Sequence, residues 1–250
     1  MQLRLNEWRP GSPASAGLPG LRENEIQLWT ACVPARDEEL AEFNLHLGPA
    51  EHERARRFSN PAARREFVFA RACLRMLLGG CLQVDPATLD FGTRARGKPC
   101  LRRSTSAPDL RFNLSHSGGR VLVALALSRE VGVDLEWIPG LEDWLSLASR
   151  ILSPRELAEL HSLPPARQPA AFFNGWTRKE AWLKATGVGL MDALPAIEVT
   201  LAPGRPAEWL ALPGGPDEMR QWTIQDLPLP PEFAGALVYE NTKPLRSSGV

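Results

Sequence analysis

Residues 131–137 read Val-Gly-Val-Asp-Leu-Glu-Trp, and the prediction of the fold starts from this stretch. Apolar and polar residues alternate along it, which is typical of a β-strand. The apolar face carries Val131, Val133, Leu135 and Trp137, and the other face carries Gly132, Asp134 and Glu136. Two carboxylates therefore project side by side, next to a glycine that leaves room for a ligand. Such a pair suits a cation such as Mg²⁺, and an acidic solvated face is the alternative.

Further strands are predicted on both sides of this stretch. Residues 121–127 are β-rich and are separated from residue 131 by a short polar turn, which predicts a hairpin. Residues 26–33 alternate like a half-buried strand. Three strand-like stretches follow later in the chain, at residues 197–201, 221–227 and 235–239.

Helical patterns lie between the predicted strands. Residues 61–82 carry large apolar residues at near-helical spacing. Ser153 and Glu156 flank Pro154 in a capping pattern that predicts the start of another helix. Residues 170–186 form the next predicted helix, ended by Gly187 and Gly189. Helices and strands together predict an α+β fold.

The order of a helix followed by strands occurs roughly twice, which predicts two similar halves that meet near residue 130. We expect an N-terminal α+β half over residues 23–130 and a C-terminal α+β half over residues 131–241. Residues 1–22 are predicted to be disordered because residues 11–20 are rich in Gly, Pro and Ser. Residues 242–250 are predicted to be a flexible tail.

Composition limits the possible partners. The 250 residues include 29 basic and 29 acidic side chains, so the net charge gives no reason to expect sequence-independent binding to nucleic acid or to an anionic membrane. No apolar run approaches the roughly 20 residues that cross a bilayer, and the N-terminus lacks the apolar core of a signal peptide. Four cysteines without a C-x-x-C pair predict reduced thiols, so we expect a cytoplasmic protein.

The predicted helix over residues 170–186 contains a second candidate group. Trp176, Glu180 and Lys184 are four residues apart and share one helical face. In isolation, the Glu–Lys pair is an ordinary surface pair that contributes about 0.3–0.5 kcal/mol. Together with Asp134 and Glu136, however, a third carboxylate and an ammonium provide what a pyrophosphate site requires.

Residues 113–119 read Asn-Leu-Ser-His-Ser-Gly-Gly, directly before a predicted strand. Phosphate binding could use the hydroxyls of Ser115 and Ser117, the ring of His116 and the backbone N–H groups. A structural histidine is the alternative. A serine nucleophile is disfavoured, because the G-x-S-x-G turn of hydrolases is missing.

Basic residues form two further candidate groups. Gly97-Lys98-Pro99 follows Arg94 and Arg96 in a predicted loop. Seven arginines lie between residues 53 and 75, which exceeds what solvation of a helix requires: Arg54, Arg56, Arg57, Arg64, Arg65, Arg71 and Arg75. Some of them could cover the helix surface or pair with acids, and a subset could bind a phosphate bidentately.

Four motifs occur in the order and spacing of a known family. They are G-K-P-C at 97–100, F-N-L-S-H-S at 112–117, G-V-D-L-E at 132–136 and W-T-R-K-E-A-W-L-K-A-T-G-V-G-L at 176–190. With them the chain resembles the surfactin-type 4'-phosphopantetheinyl transferases over roughly residues 24 to 240. The resemblance implies a pseudo-two-fold pair of α+β halves, with coenzyme A in the cleft between them and a carrier protein docked beside it.

The resemblance also implies a role for each motif. Asp134, Glu136 and Glu180 would hold Mg²⁺. His116 and Lys184 would contact the pyrophosphate, with Ser115 nearby, and Gly97-Lys98-Pro99 would lie near the adenine and the 3'-phosphate. Where some members carry two lysines this chain has Glu51 and Arg54. The candidates for binding the nucleotide end of coenzyme A are therefore Arg54, Arg64, Arg65 and Arg71.

The function implied is Mg²⁺-dependent transfer of phosphopantetheine from coenzyme A to a serine of an acyl or peptidyl carrier protein, with release of 3',5'-ADP. Glu180 is the candidate base, with Lys184 as the alternative, and His116 completes the catalytic set. A non-catalytic protein that binds coenzyme A or a carrier, and a hydrolase of nucleotide pyrophosphates, are the rival functions. We expect a monomer, and residues 138–152 are a candidate part of the docking surface.

Overall fold

A computed structural model describes residues 1–8, 20–94, 97–102, 109–140, 143–188 and 191–241. The predicted tail over residues 242–250 and most of the Gly/Pro/Ser-rich stretch at 11–20 lie outside the described residues. The chain divides into two compact units, Met1–Ser128 and Arg129–Val250. Both combine helices with antiparallel strands, which confirms the α+β fold.

The first unit packs a long helix against a four-stranded sheet. Its elements are β1 (Gln2–Glu7), β2 (Glu25–Cys32), α1 (Ala41–Asn44), α2 (Pro49–Arg56), α3 (Pro61–Leu82), β3 (Phe91–Thr93), β4 (Pro99–Leu101), β5 (Leu110–Ser117) and β6 (Arg120–Leu127). The sheet has the order β1-β2-β6-β5, in which only the β1–β2 pair is parallel. Strands β3 and β4 form a separate antiparallel pair.

Helix α3 has the limits that the apolar spacing predicted. The Asn60 side chain caps it by accepting hydrogen bonds from the N–H groups of Ala62 and Ala63, at 2.8 and 3.3 Å. The large apolar side chains used for the prediction are all buried in the core of the unit: Phe67, Phe69, Leu74, Leu77 and Leu78. Burial of this one helical face accounts for the packing of α3 against the sheet.

The N-terminus corrects one prediction. Residues 2–7, expected to be disordered, form strand β1 in parallel register with β2. Trp8 follows the strand and is buried against Phe43 and Phe69, with ring centroids 5.9 and 5.8 Å apart. The prediction was wrong because only residues 11–20 carry the Gly/Pro/Ser bias, whereas residues 2–8 alternate apolar and polar side chains and end in an aromatic anchor.

The second unit packs its longest helix against a three-stranded sheet. Its elements are β7 (Val131–Trp137), α4 (Trp144–Ile151), α5 (Pro154–Ser162), α6 (Gln168–Thr186), β8 (Glu198–Val199), β9 (Trp209–Ala211), α7 (Gly215–Gln221), β10 (Trp222–Asp226) and β11 (Phe233–Glu240). The antiparallel sheet has the order β10-β11-β7. Strands β8 and β9 form a small separate pair.

The predicted hairpin between residues 121–127 and 131–137 is wrong. Strand β6 pairs with β2 on one edge and with β5 on the other, so neither edge is open to β7. Strand β7 pairs with β11 instead. Ser128 has a positive φ of 50°, and it lies where the chain passes from the sheet of one unit to that of the other. Two adjacent β-rich runs are therefore strands of different sheets.

Two predicted helix boundaries in the second unit are confirmed, the start of α5 and the end of α6, whereas α6 begins at Gln168, two residues before the predicted start. Ser153 and Glu156 form the capping box of α5, because the Ser153 hydroxyl accepts from the Glu156 N–H and the Glu156 carboxylate accepts from the Ser153 N–H. Gly187 ends α6 with φ at +73°. Gly189, the second predicted helix-ending glycine, lies outside the described residues.

The four cysteines are free thiols, as predicted. Burial raises the pKa of Cys73 well above its usual value and that of Cys81 to about 11. None of the helices in the described ranges is both long enough and apolar enough to cross a membrane.

Candidate functional site

Helix α6 and strand β7 approach each other closely at Gly132. A Cβ atom on Gly132 would lie 2.0 Å from the carbonyl oxygen of Ala181 and 2.4 Å from the backbone nitrogen of Ala185. The glycine therefore leaves room for the backbone of α6, and not for a ligand as the sequence predicted. This contact places the middle of the helix over the Gly132 and Asp134 face of the strand.

Most of α6 is buried, and its half-buried positions include the three residues predicted to share a face. Trp176, Glu180 and Lys184 are each partly exposed, whereas Thr177 to Lys179 and Ala181 to Leu183 are buried. The Trp176 ring packs against Phe172 and Phe173, with centroids 5.4 and 6.5 Å apart. Trp176 is the apolar first residue of this stripe, which Trp176, Glu180 and Lys184 form, and it anchors the helix. Glu180 and Lys184 lie on the next two turns.

Asp134 and Lys184 form an ion pair between β7 and α6. The Lys184 Nζ donates to Asp134 Oδ1 at 2.6 Å. Asp134 is only 3% exposed, whereas the Lys184 side chain is 29% exposed. Glu136, two residues further along β7, is half-buried. The predicted carboxylate and ammonium are therefore brought together.

Glu180 lies in the electrostatic field of this pair. Its pKa is raised above the ordinary value of 4.5, first by burial and then by the negative charge of Asp134, while the charge of Lys184 acts in the opposite direction. The negative charge of Asp134 opposes ionisation of Glu180, so a cation beside Glu180 would be favourable. The convergence of Glu180 with both β7 carboxylates on one metal ion stays a prediction.

Within the described parts of the chain, no three His, Cys, Asp or Glu side chains are gathered closely enough to hold a metal ion as they stand. The donor set nevertheless fits a divalent ion, because Asp134, Glu136 and Glu180 supply the oxygen ligands that Mg²⁺ prefers.

Two charged residues in the α6 motif have structural roles that the sequence did not reveal. Arg178 and Lys179 are fully buried. Arg178 donates to both carboxylate oxygens of Asp226, at 2.8 and 2.6 Å, and to the backbone and side-chain oxygens of Thr200. Lys179 donates to Glu156 at 2.5 Å and to the carbonyls of Ile151 and Leu194. They join α6 to its neighbours, which helps fix the direction of the Glu180 and Lys184 stripe.

In the first unit, β5 ends at the predicted phosphate-binding residues. Ser115 is buried at 5% exposure, and the His116 side chain is 39% exposed. The His116 Nδ1 lies 3.5 Å from Oε2 of Glu66 on α3. Sequence reasoning missed Glu66, although it is the only acid in a helix that contains four arginines. A lone acid in such a setting was the available signal.

A cavity of about 710 Å³ lies in the first unit, beside α2 and α3. Four arginines line it: Arg54, Arg71, Arg75 and Arg102. Glu51 organises two of them, because one carboxylate oxygen accepts from Arg71 and the other from Arg75. The guanidinium groups of both arginines lie over the Phe91 ring, 4.7 and 4.9 Å from its centroid. A basic, aromatic cavity of this volume suits a nucleotide.

The predicted arginines differ in whether they line the cavity and in which groups they contact. Arg54 is exposed, lines the cavity and lies 5.0 Å from the Phe67 ring centroid. Arg75 donates to the carbonyl oxygens of residues 86, 87 and 89 as well as to Glu51. Arg65 pairs with Asp37 at 3.2 Å, and neither it nor Arg64 is among the described residues that line the cavity. Of the four predicted arginines, the cavity therefore includes Arg54 and Arg71.

The predicted G-K-P motif lies at the turn between β3 and β4. Gly97 has φ at +83° and closes the turn with its N–H to the carbonyl of Arg94, at 3.0 Å. Lys98 is buried at 9% exposure, and Pro99 lines the cavity. The positive φ explains the glycine, and Pro99 brings the motif to the same cavity as Arg54 and Arg71.

Comparisons with known proteins show the family of the chain. The profile of the 4'-phosphopantetheinyl transferase superfamily matches residues 130–238, and that of a 4'-phosphopantetheinyl transferase N-terminal domain matches residues 29–128. The 4'-phosphopantetheinyl transferase HetI of Nostoc sp. is 39% identical over 88% of this chain and 88% of its own. The 4'-phosphopantetheinyl transferase Sfp of Bacillus subtilis is 30% identical over 67% of this chain and 72% of its own. The chain belongs to the 4'-phosphopantetheinyl transferase superfamily and is an enzyme of that class.

Proposed function

We propose that the chain moves the 4'-phosphopantetheine arm of coenzyme A to a serine of an acyl or peptidyl carrier protein, with Mg²⁺ as cofactor and 3',5'-ADP as the second product. The observation that carries the proposal is the placement of Lys184 on Asp134 with Glu180 on the same half-buried stripe of α6. Such a group combines oxygen ligands for a metal with a cation for phosphate oxygens.

Asp134, Glu136 and Glu180 would hold the Mg²⁺ ion. A bound divalent ion supplies positive charge to the pyrophosphate oxygens of coenzyme A and orients them. Lys184 reaches the same place on a flexible side chain, so its ammonium can neutralise a phosphate oxygen as well as Asp134. His116, with Ser115 beside it, is proposed to donate to the pyrophosphate.

Glu180 is proposed to accept the proton of the carrier serine as its oxygen attacks the phosphorus that bears the pantetheine arm. The raised pKa of Glu180 makes it a stronger base than an ordinary exposed glutamate. Lys184 is the alternative base. The bond from that phosphorus to the bridging oxygen breaks, and the electron pair leaves with 3',5'-ADP.

The nucleotide end of coenzyme A is proposed to bind in the arginine-lined cavity. Arg54 and Arg71 provide positive charge for the 3'-phosphate, and the Phe91 ring supports the Arg71 guanidinium beside the cavity. Gly97, Lys98 and Pro99 bring the β3–β4 turn to this region. Arg64 and Arg65 remain weaker candidates, because Arg65 pairs with Asp37 and neither is among the described residues that line the cavity.

Carrier docking is proposed to use the segment after β7. Leu145 on α4 is 57% exposed and Trp137 at the end of β7 is 40% exposed, so the described part of residues 138–152 offers apolar surface next to the acidic strand. The balanced charge of the chain gives no reason to expect nucleic acid or an anionic membrane as a partner. The enzyme is proposed to act as a monomer in the cytoplasm.

Intact-mass spectrometry tests the proposal directly. A purified apo carrier protein is incubated with the chain, coenzyme A and Mg²⁺, with a carrier whose acceptor serine is replaced by alanine as the control. We expect the apo carrier, and not its alanine variant, to gain the mass of one phosphopantetheine arm. A carrier that is bound but unmodified, or coenzyme A cleaved by water, would contradict the proposal.

A further inference from the structure

Glu66 joins helix α3 to the turn between β5 and β6. Its Oε2 lies 3.5 Å from His116 Nδ1, and its Oε1 accepts the Gly119 N–H at 3.3 Å. The Glu66 side chain is 22% exposed, so it is largely shielded while the imidazole is more open. One carboxylate therefore contacts both the ring of His116 and the backbone three residues later.

The turn that Glu66 contacts has a restricted backbone. Gly118 and Gly119 have φ values of +56° and +74°, which side chains with a Cβ rarely adopt. The Gly119 carbonyl accepts the Val33 N–H at 2.7 Å, which ties the turn to the end of β2 as well. Contacts from α3 and from the end of β2 hold the turn, so the backbone next to His116 is fixed in position.

A carboxylate at this place selects the orientation of the imidazole. Only a protonated Nδ1 can donate to Glu66, so Nε2 is the ring atom that remains for a ligand. Burial alone would raise the pKa of Glu66, but contact with His116 and the Gly119 N–H outweighs it and lowers the pKa below 4.5. Glu66 is therefore an anion at neutral pH, and its carboxylate faces the Nδ1 atom of His116 as an acceptor.

We propose that Glu66 is a positioning residue of the coenzyme A site, which holds the His116 ring with Nδ1 toward α3 and Nε2 available to a phosphate oxygen. This inference rests on the proposed function, in which His116 contacts a phosphate of coenzyme A. Glu66 itself does not touch the substrate. Removal of a carboxylate that orients a metal-ligating histidine typically costs about 10- to 100-fold in metal affinity or activity, and we expect an effect at the lower end of that range for a phosphate ligand.

The test compares Glu66→Gln with Glu53→Gln. The glutamine has nearly the shape of glutamate but only one acceptor oxygen, so it cannot serve both His116 Nδ1 and the Gly119 N–H. Glu53 is an exposed acid on α2 that pairs with Arg56 and Arg57, and its loss controls for removal of one surface charge. Circular dichroism and thermal melting check that both variants are folded.

The first measurement on each variant is kcat together with KM for coenzyme A. The second is the imidazole ¹⁵N spectrum without coenzyme A, in which the His116 resonances are assigned by their loss in His116→Gln. For Glu66→Gln we expect KM to rise about tenfold with kcat changed less than about twofold. We also expect the ¹⁵N resonances to show loss of the Nδ1-protonated form. Glu53→Gln should change neither, and His116→Gln combined with Glu66→Gln should be no worse than His116→Gln alone.

The outcomes separate this inference from the proposed function. If His116→Gln raises KM for coenzyme A but Glu66→Gln changes neither KM nor the ¹⁵N resonances, the positioning role is overturned and the proposed function stands. If His116→Gln leaves KM unchanged while the carrier is still modified, the assignment of His116 to a phosphate fails, and the role of Glu66 fails with it.

Discussion

Lys184 Nζ on α6 lies 2.6 Å from Asp134 Oδ1 on β7, which links a helix to a strand 50 residues earlier in the chain. Because the Asp134 side chain is 4% exposed and Lys184 is 29% exposed, the aspartate is the fixed member of the pair and the lysine the mobile one. The ammonium can therefore move toward a phosphate oxygen while Asp134 stays in place. This asymmetry suits a site that must bind a metal and an anion at once.

Glu180→Gln should stabilise the protein while removing transfer. Burial and the charge of Asp134 raise the pKa of Glu180 above 4.5, so the folded state binds this proton more tightly than the unfolded chain. The resulting contribution to the free energy of unfolding is complete below pH 4.5 and lost as pH rises through the raised pKa. Glutamine is neutral throughout, so the variant should melt at a higher temperature than wild type at pH 8, by a margin that shrinks toward pH 5.

Thermal melts across this pH range, with Glu38→Gln as an exposed control, check the prediction. A Glu180→Gln protein that melts below wild type at pH 8, or by a margin independent of pH, would show that Glu180 is not electrostatically strained. The control should show no comparable trend.

Gly132→Ala should separate α6 from β7. The new Cβ would lie 2.0 Å from a backbone oxygen that cannot rotate away, so the helix must shift. Overpacking of this kind costs about 1–3 kcal/mol. We expect urea unfolding to show that loss and transfer to fall, because Glu180 and Lys184 move with the helix. Gly20→Ala, where no described atom lies within 4 Å of the added Cβ, is the matched control. Equal stability of the two variants would contradict the close packing.

Helix α3, helix α6 and the capping box of α5 could be predicted because their signals are local. Apolar spacing, Asn60 or Ser153 at a helix start and Gly187 at a helix end all act within a few residues. The 121–137 hairpin could not be excluded in this way, since both strands have strong β patterns. Strand β6 pairs with its neighbour β5 and with β2, and β7 pairs with β11; of these partners, β2 and β11 are distant in sequence.

The candidate site was predictable in its residue types but not in its supports. Alternation placed Asp134 and Glu136 together, and helical spacing placed Glu180 with Lys184. Gly132 is needed because helix α6, which begins more than 30 residues later, lies close to it. The sequence alone could not show this contact and suggested that the glycine leaves room for a ligand. The burial of Lys179 was equally hidden, because a lysine beside a glutamate in a helix is usually solvated.

Lys179→Met should destabilise the second unit without a specific effect on catalysis. The substitution leaves Glu156, which is fully buried, without its cation, and removal of one partner of a buried ion pair typically costs about 3–5 kcal/mol. Urea unfolding measures the loss, and KM for coenzyme A at low temperature should stay near wild type. The double variant Glu156→Gln, Lys179→Met should lose less than the sum of the single variants. A loss below about 1 kcal/mol for Lys179→Met would argue against the pair.

Arg54→Ala should weaken binding of coenzyme A, because Arg54 is exposed at the rim of the cavity. Loss of one charge-assisted hydrogen bond predicts a rise in KM of about tenfold or more. Arg36→Ala, which removes an exposed pair with Glu39, is the control and should change KM less than about twofold. With coenzyme A that lacks the 3'-phosphate, the difference between wild type and Arg54→Ala should disappear. An unchanged difference would show that Arg54 does not bind that phosphate.

The most direct test of the proposed metal site compares wild type, Asp134→Asn and Asp217→Asn in single-turnover transfer, followed by the intact mass of the carrier at saturating coenzyme A and Mg²⁺. Asparagine keeps the shape of Asp134 but removes its charge, whereas Asp217 is an exposed acid in the first turn of α7. We predict that Asp134→Asn lowers the transfer rate by on the order of 100-fold or more while the protein melts as a folded chain, and that Asp217→Asn matches wild type. A folded Asp134→Asn protein that transfers phosphopantetheine at the wild-type rate would contradict the account.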